Sequence, residues 1–153
     1  TEMIVELCVS GVNAIVKNEE RLQQIRSLFD LDGITVFSDR GSNLVCRNGN
    51  YMAEVPDVRP GFEDEGYLAL FGDDGIFVES NMIRLRSQNP AAYAVTQEQE
   101  IGAALQCLSR KEGIPYTMVN FEVFNRNRKW SDEDVTLLTL LGHCIGNLLN
   151  YSE

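Results

Sequence analysis

One histidine and four cysteines hold most of the nucleophilic and metal-binding chemistry open to this 153-residue chain. His143 lies among Leu140, Leu141 and Ile145, an apolar helical setting. A catalytic base needs an orienting partner and an open approach for substrate. The neighbouring residues supply neither, so His143 reads as structural. Cys8, Cys46, Cys107 and Cys144 are widely spaced and form no CxxC pair. Zinc gathers ligands in close pairs, so these read as thiols in a reducing compartment. Cys46 and Cys107 are the pair that strands of one sheet can bring together for thiol redox chemistry. Asp57, Glu63, Asp64 and Glu65 crowd one segment, and Asp73-Asp74-Gly75 resembles a fragment of a calcium loop without its closing Glu. Solvated acids and a turn account for both. No GxxxxGK[ST] or GxGxxG string occurs. No residue is therefore assigned a catalytic or metal-binding role.

Positioning any such groups falls to a mixed set of elements. Apolar residues at 4, 7, 8, 11, 12 and 15 have helical spacing over Glu2 to Val16. Asn18 can cap a second helix, Glu19 to Phe29. Ile34 to Phe37 and Asn43 to Arg47 read as a hairpin, and residues 54 to 66 as irregular loop. Gly66 to Phe71 and Ile76 to Glu79 read as strands flanking a Gly-Asp-Asp-Gly turn. Residues 91 to 99 read as a short polar connection that can hold a helical turn. Ile101 to Leu108 and Tyr116 to Phe124 form the strongest strand pair, with a Lys-Glu-Gly turn between them. In the second of these, Thr117, Val119, Phe121 and Val123 share one face and Met118, Asn120 and Glu122 lie on the other. Apolar residues on both faces suit a central strand covered on at least part of both sides. The expected fold class is α+β, with a central antiparallel sheet flanked by N- and C-terminal helices.

The last helix is the most distinctive element. Ser131 and Asp134 make a capping box, and a Leu-rich run follows. Leu138, Leu141, Ile145 and Leu148 trace one seam; Leu137, Leu140, Cys144 and Tyr151 trace another. One seam can cover the sheet and the other can meet a second subunit. Gly142 and Gly146, one turn apart, permit close approach of backbones. Ile4, Leu7, Gly11 and Ile15 of the first helix can join a four-helix arrangement. The expected interface residues are Ile4, Leu7, Gly11, Leu138, Leu141, Gly142, Ile145 and Leu148.

Charge limits the partners. Thirteen Lys and Arg stand against 23 Asp and Glu, a formal net charge of -10, which disfavours nonspecific contact with nucleic acid or acidic membrane. No apolar stretch is long enough to span a bilayer, and no signal peptide is evident. The expected location is cytoplasmic. The chain reads as one domain, residues 1–153, excised from a longer protein, with 1–16 and 131–153 as dimerisation or signalling helices.

The element order resembles a GAF domain, the small sensory module of signalling proteins. The closest likeness runs from Ile101 to Leu149: strand, Lys-Glu-Gly turn, strand, Asn-Arg-Asn-Arg-Lys loop, then Trp-Ser-Asp-Glu-Asp and a Leu-rich helix. Pro90 to Tyr93 resembles the Pro-x-x-Tyr segment, and Asn127 to Glu133 the helix entry, of GAF domains upstream of diguanylate cyclases. The resemblance implies a pocket between the sheet and the segment 51 to 93. Its candidate lining is Tyr67, Phe77, Arg84, Arg86, Tyr93, Cys107 and Phe121, either around an unidentified small-molecule ligand or as core aromatics with no pocket; no cofactor is predicted. The Asn-Lys-x-Phe-Asp-Glu string of cyclic-nucleotide-binding members is absent. Bilin-binding members attach a chromophore through a cysteine, commonly beside a histidine; here the sole histidine and its neighbour Cys144 lie in the last helix.

The resulting reading is a non-catalytic sensory and dimerisation module. It passes ligand or partner binding through its last helix to an output domain, a diguanylate cyclase or a kinase, that lies outside this chain. Two alternatives are a cysteine enzyme resembling free methionine sulfoxide reductases, and a PAS-like or roadblock-like protein-binding scaffold.

Overall fold

The computed structural model describes residues 19–39, 43–48 and 57–152. Helix α1 spans Glu19–Leu28, strand β1 Gly33–Ser38 and strand β2 Asn43–Arg47. A 3-10 turn at Arg59–Glu63 leads into a short helix α2, Glu65–Leu68. Strand β3 is Ile76–Glu79; a 3-10 turn at Met82–Arg84 precedes helices α3 (Leu85–Gln88) and α4 (Pro90–Glu98). Strands β4 (Ile101–Lys111) and β5 (Ile114–Phe124) are the longest, and helix α5 runs from Asp132 to Ser152. The five strands form one antiparallel sheet in the order β2-β1-β5-β4-β3.

The period-two side-chain alternation of a strand sorts the sheet into two cores. On one face Ile34, Val36, Leu105, Cys107, Val119, Phe121 and Val123 pack under Leu22 and Ile25 of α1 and Leu138, Leu141 and Ile145 of α5. On the other face Phe37, Ala104, Leu108 and Met118 pack under Phe62, Phe71, Met82 and Leu85 from the segment between β2 and β4. β5 is central and covered on both faces, as its sequence predicts. The β4–β5 turn places Glu112 at φ 54 and Gly113 at φ 80, the paired left-handed residues that match strand twist in a two-residue hairpin.

Three expected segments differ. Gly66 to Phe71 begins as helix, because Asp64 caps it: its carboxylate accepts from the Gly66 and Tyr67 amides at 2.9 and 3.3 Å. Residues within 54 to 66 include a 3-10 turn with Pro60 in its first positions. Residues 91 to 99 are mostly helix α4. Asn89 Oδ1 accepts from the Ala92 amide at 3.1 Å and Pro90 stands at the start, where a missing N–H costs nothing. Side-chain caps from Asp64 and Asn89 start the two helices, while the 3-10 turn, with Pro60 near its start, has none.

The capping box of α5 is reciprocal. The Asp134 amide donates to Ser131 Oγ at 3.0 Å, and the Ser131 amide donates to Asp134 Oδ2 at 3.3 Å. Trp130, just before it, donates its indole N–H to the Glu79 carbonyl at 3.1 Å and so ties the helix entry to β3. Ser131→Ala is expected to cost about 1 kcal/mol, read as a lower urea midpoint at unchanged m value.

Helix α5 settles the seam assignment. Leu138, Leu141 and Ile145, expected at an interface, are buried against their own sheet. Gly142 and Gly146 serve the same contact. A Cβ on Gly142 would collide with the Cys107 side chain, and one on Gly146 with Ser109 and Thr117. Leu140 is 47% exposed and is the large apolar residue that α5 leaves to solvent among the described side chains. Ile4, Leu7 and Gly11 lie outside the described residues, as does the Leu148 side chain. No helix among the described residues is long and apolar enough to cross a membrane.

Candidate functional site

A cleft of about 260 Å³ lies between the sheet and the segment carrying α2 to α4. That is below the roughly 300–1,000 Å³ of pockets for drug-sized ligands. Its walls are largely apolar: Phe37, Val58, Phe62, Leu68, Phe77 and Met118 among others. Its floor is polar, because Gln106 on β4 and Asn120 and Glu122 on β5 point to this face. Gln106 and Asn120 are cross-strand partners.

The strongest interaction at the floor is an ion pair between Arg47 and Glu122, with side-chain exposures of 6% and 1%. Arg47 Nε and Nη2 donate to the two carboxylate oxygens at 3.1 and 3.0 Å. Its Nη1 donates to Gln99 Oε1 at 2.7 Å, and its guanidinium lies 5.3 Å from the centre of the Phe124 ring. Thr35 Oγ1 donates to Glu122 Oε2 at 3.3 Å. This two-pronged geometry suits a guanidinium better than an ammonium. Burial raises the Glu122 carboxyl above its usual range, and the hydrogen bonds and charge of Arg47 offset part of that rise. Gly33 makes room for the pair: a Cβ there would fall 2.6 Å from Glu122 Oε1.

Tyr67 closes one side. Its hydroxyl donates to Gln106 Oε1 at 2.6 Å, and its ring meets Phe71 edge-on with centroids 5.4 Å apart. Burial raises its hydroxyl pKa, so it stays a protonated donor. Asn120 is only 6% exposed, and its Oδ1 has no hydrogen-bond partner.

The expected lining is brought together in part. Tyr67 and Phe77 line the cleft. Arg84 is exposed and approaches Glu79 at 3.8 Å, outside the cleft. Arg86 is exposed on α3. Tyr93 lines a separate shallow groove with Asn81 and Arg126. Cys107 and Phe121 face α1 and α5 on the opposite side of the sheet. The parity of the strands explains this: Gln106 and Asn120 point to the cleft, so their neighbours Cys107 and Phe121 point away. The sequence reading passed over Arg47, Gln106, Asn120 and Glu122. A glutamate inside a central strand covered on both faces was the available signal, since a buried charge requires a partner.

The other chemistry-bearing residues have structural places. His143 Nε2 lies 3.0 Å from the Asp74 carbonyl and Nδ1 3.5 Å from Ser109 Oγ, pinning the Gly72–Gly75 turn to α5. Among the described residues no three His, Cys, Asp or Glu gather as a metal site. Cys46 on β2 and Cys107 on β4 are three strand spacings apart, about 14 Å. That is too far for the disulfide that paired thiol chemistry requires. Burial, with a smaller push from Asp74, also raises the Cys107 thiol pKa, away from a reactive thiolate. The methionine sulfoxide reductase alternative therefore lacks its cysteine pair.

No family model and no curated protein matches the sequence. Solved structures do match in shape. The far-red absorbing dark state of JSC1_58120g3 with bound biliverdin IXa superposes with TM-score 0.70 over 99% of this chain and 97% of that one, at 13% identity. This chain has a GAF-like fold. The GAF domain of Thermosynechococcus elongatus PixJ, in its blue-light absorbing form, gives 0.69 at 11% identity, over 95% of this chain and 89% of that one. The chromophore-binding domain of Stigmatella aurantiaca bacteriophytochrome gives 0.69 at 14%, over 97% of this chain and 59% of that one. At these identities the likeness establishes the GAF-like fold and not the ligand.

Proposed function

We propose that this chain is a GAF-fold sensory module that binds a compact organic molecule in the cleft and relays occupancy through α5. The carrying observation is the cleft itself, an apolar chamber over a polar floor. The relay rests on strand parity. Gln106 and Asn120 face the cleft, while their chain neighbours Cys107 and Phe121 touch α5 at Gly142. A ligand shifting β4 and β5 therefore acts directly on the helix. Such coupling needs two packings of α5 with different ligand affinities.

The same proposal includes a homodimer across the outer face of α5, with Leu140 as its exposed apolar residue and residues 1–16 as the second contributing segment. It also includes a covalently linked output domain, a diguanylate cyclase or kinase. A cytoplasmic location follows from that role. The biliverdin held by one similar structure makes a bilin the natural competitor for the cleft. Against it, Arg47 is the sole Lys or Arg among the described lining side chains and is already committed to Glu122 and Gln99. Among the described lining side chains, the two carboxylates of a bilin would find no cation beyond that pair.

Native mass spectrometry of the gently purified protein tests the proposal. The expected species is a dimer carrying a removable small mass, which Ala92→Trp, placed to fill the cleft from α4, should lose. Leu140→Asp should give monomers. A retained mass in Ala92→Trp would remove the cleft as the site, and a persistent dimer in Leu140→Asp would remove this interface.

A further inference from the structure

We propose that His143 is a positioning residue that carries movement of the cleft cover to α5. This rests on the cleft being the ligand site. The cover and α5 pack on opposite faces of the sheet. The turn Gly72–Gly75, which leads from the cover into edge strand β3, reaches α5 through one side chain. His143 Nε2 lies 3.0 Å from the Asp74 carbonyl. A carbonyl only accepts, so Nε2 carries the hydrogen. On the other side of the ring, Nδ1 lies 3.5 Å from Ser109 Oγ on β4. His143 thus stands between the turn, the sheet and its own helix.

The turn is tied to the cover in the same way. Phe71, the residue before it, meets the rings of Tyr67 and Phe77 at centroid distances of 5.4 and 6.0 Å, and both of those line the cleft. Within the turn the Gly75 amide donates to the Gly72 carbonyl at 2.9 Å and the Gly72 amide to the Ile76 carbonyl at 3.1 Å. The Ile76 amide donates to Asp74 Oδ1 at 3.2 Å. These bonds make the turn move as a unit with Phe71. Gly75 has φ 76, and a Cβ there would fall 2.5 Å from the Leu108 carbonyl oxygen and 3.5 Å from the His143 ring. The turn therefore lies directly against both β4 and α5. When a ligand displaces Tyr67 and Phe71, the bond from His143 to Asp74 either draws α5 along or breaks. Each outcome changes how α5 is held, and the change adds to the route through β4 and β5. A bond made in one packing and altered in the other is the differential contact that coupling requires.

Ala92→Trp serves as the probe of occupancy, because its ring fills the cleft without any ligand. Hydrogen exchange of the α5 amides around His143 is compared with and without it, in the whole chain. With His143 present, the Trp variant is expected to change that exchange by about threefold or more. His143→Leu, which cannot donate, should remove most of the change. His143→Gln, whose amide can reach the same carbonyl, should keep it. An undiminished change in His143→Leu would overturn the role of His143 and leave the relay to the strands. Equal loss in the Leu and Gln variants would overturn the Asp74 bond as the carrier. His143 is the sole histidine of the chain, so its ring nitrogens give unambiguous NMR signals. Those signals should shift on Ala92→Trp, a reading that survives misfolding of either His143 variant; unmoved signals would overturn the proposal. An α5 unchanged by Ala92→Trp would overturn it too, while the cleft reading stands or falls separately on the mass lost in that variant.

Discussion

Glu122→Leu is expected to destabilise the domain by about 3–5 kcal/mol, the range for removing one partner of a buried ion pair. The side chain is 1% exposed and bonded to Arg47 through both oxygens. Its loss leaves a guanidinium 6% exposed with, among the described residues, Gln99 and the Phe124 ring beside it. Arg47→Met/Glu122→Leu removes both charges and is expected to recover most of that loss, because two buried charges cost roughly what their pairing returns. Urea unfolding of the two single variants and the double variant measures the coupling directly. A double variant as unstable as either single one would show that the pair acts through packing alone. The pH dependence has a defined sign. Burial raises the folded-state carboxyl of Glu122, with Arg47 opposing. The folded state therefore holds this proton more tightly than the unfolded chain. The associated stabilisation is full below the unfolded value of about 4.3 and is lost as pH rises through the raised folded value. In the double variant that component of the pH profile should be missing.

Leu141→Ala is expected to cost about 2–5 kcal/mol, and Leu140→Ala within about 0.5 kcal/mol when measured at concentrations that keep the chain monomeric. These are adjacent leucines on one helix, yet Leu141 is 1% exposed in the core under β4 and β5 while Leu140 is 47% exposed. Truncating Leu141 opens a cavity beside Phe121, Leu138 and Ile145, all fully buried, and Gly142 on the same turn already sits in contact with Cys107. The closeness of helix and sheet limits collapse into the void, which places the cost toward the upper part of that range. Thermal or urea unfolding measures both variants. Equal losses would mean that α5 presents a different face to the sheet than the one found.

The sequence by itself determined the elements whose signals are local. The β1–β2 and β4–β5 hairpins follow from β-branched runs separated by turn residues, and the reciprocal cap at Ser131 and Asp134 follows from two residues three apart. The alternation in β5 also told that both faces of that strand are covered. It did not tell which face carries which structure. Helix α5 has two apolar seams of similar strength, and only packing selected Leu138, Leu141 and Ile145 for the sheet and left Leu140 outside. The same choice moved Cys107 and Phe121 away from the cleft and turned Gln106, Asn120 and Glu122 into its floor. Arg47 was illegible for a different reason. It lies 75 residues from Glu122, and the pair exists because β2 and β5 flank β1, where Gly33 leaves space for both side chains. Local propensity and capping act over a few residues and are written in the chain. The facing of a strand and the partner of a buried charge are fixed only when distant segments close around one core.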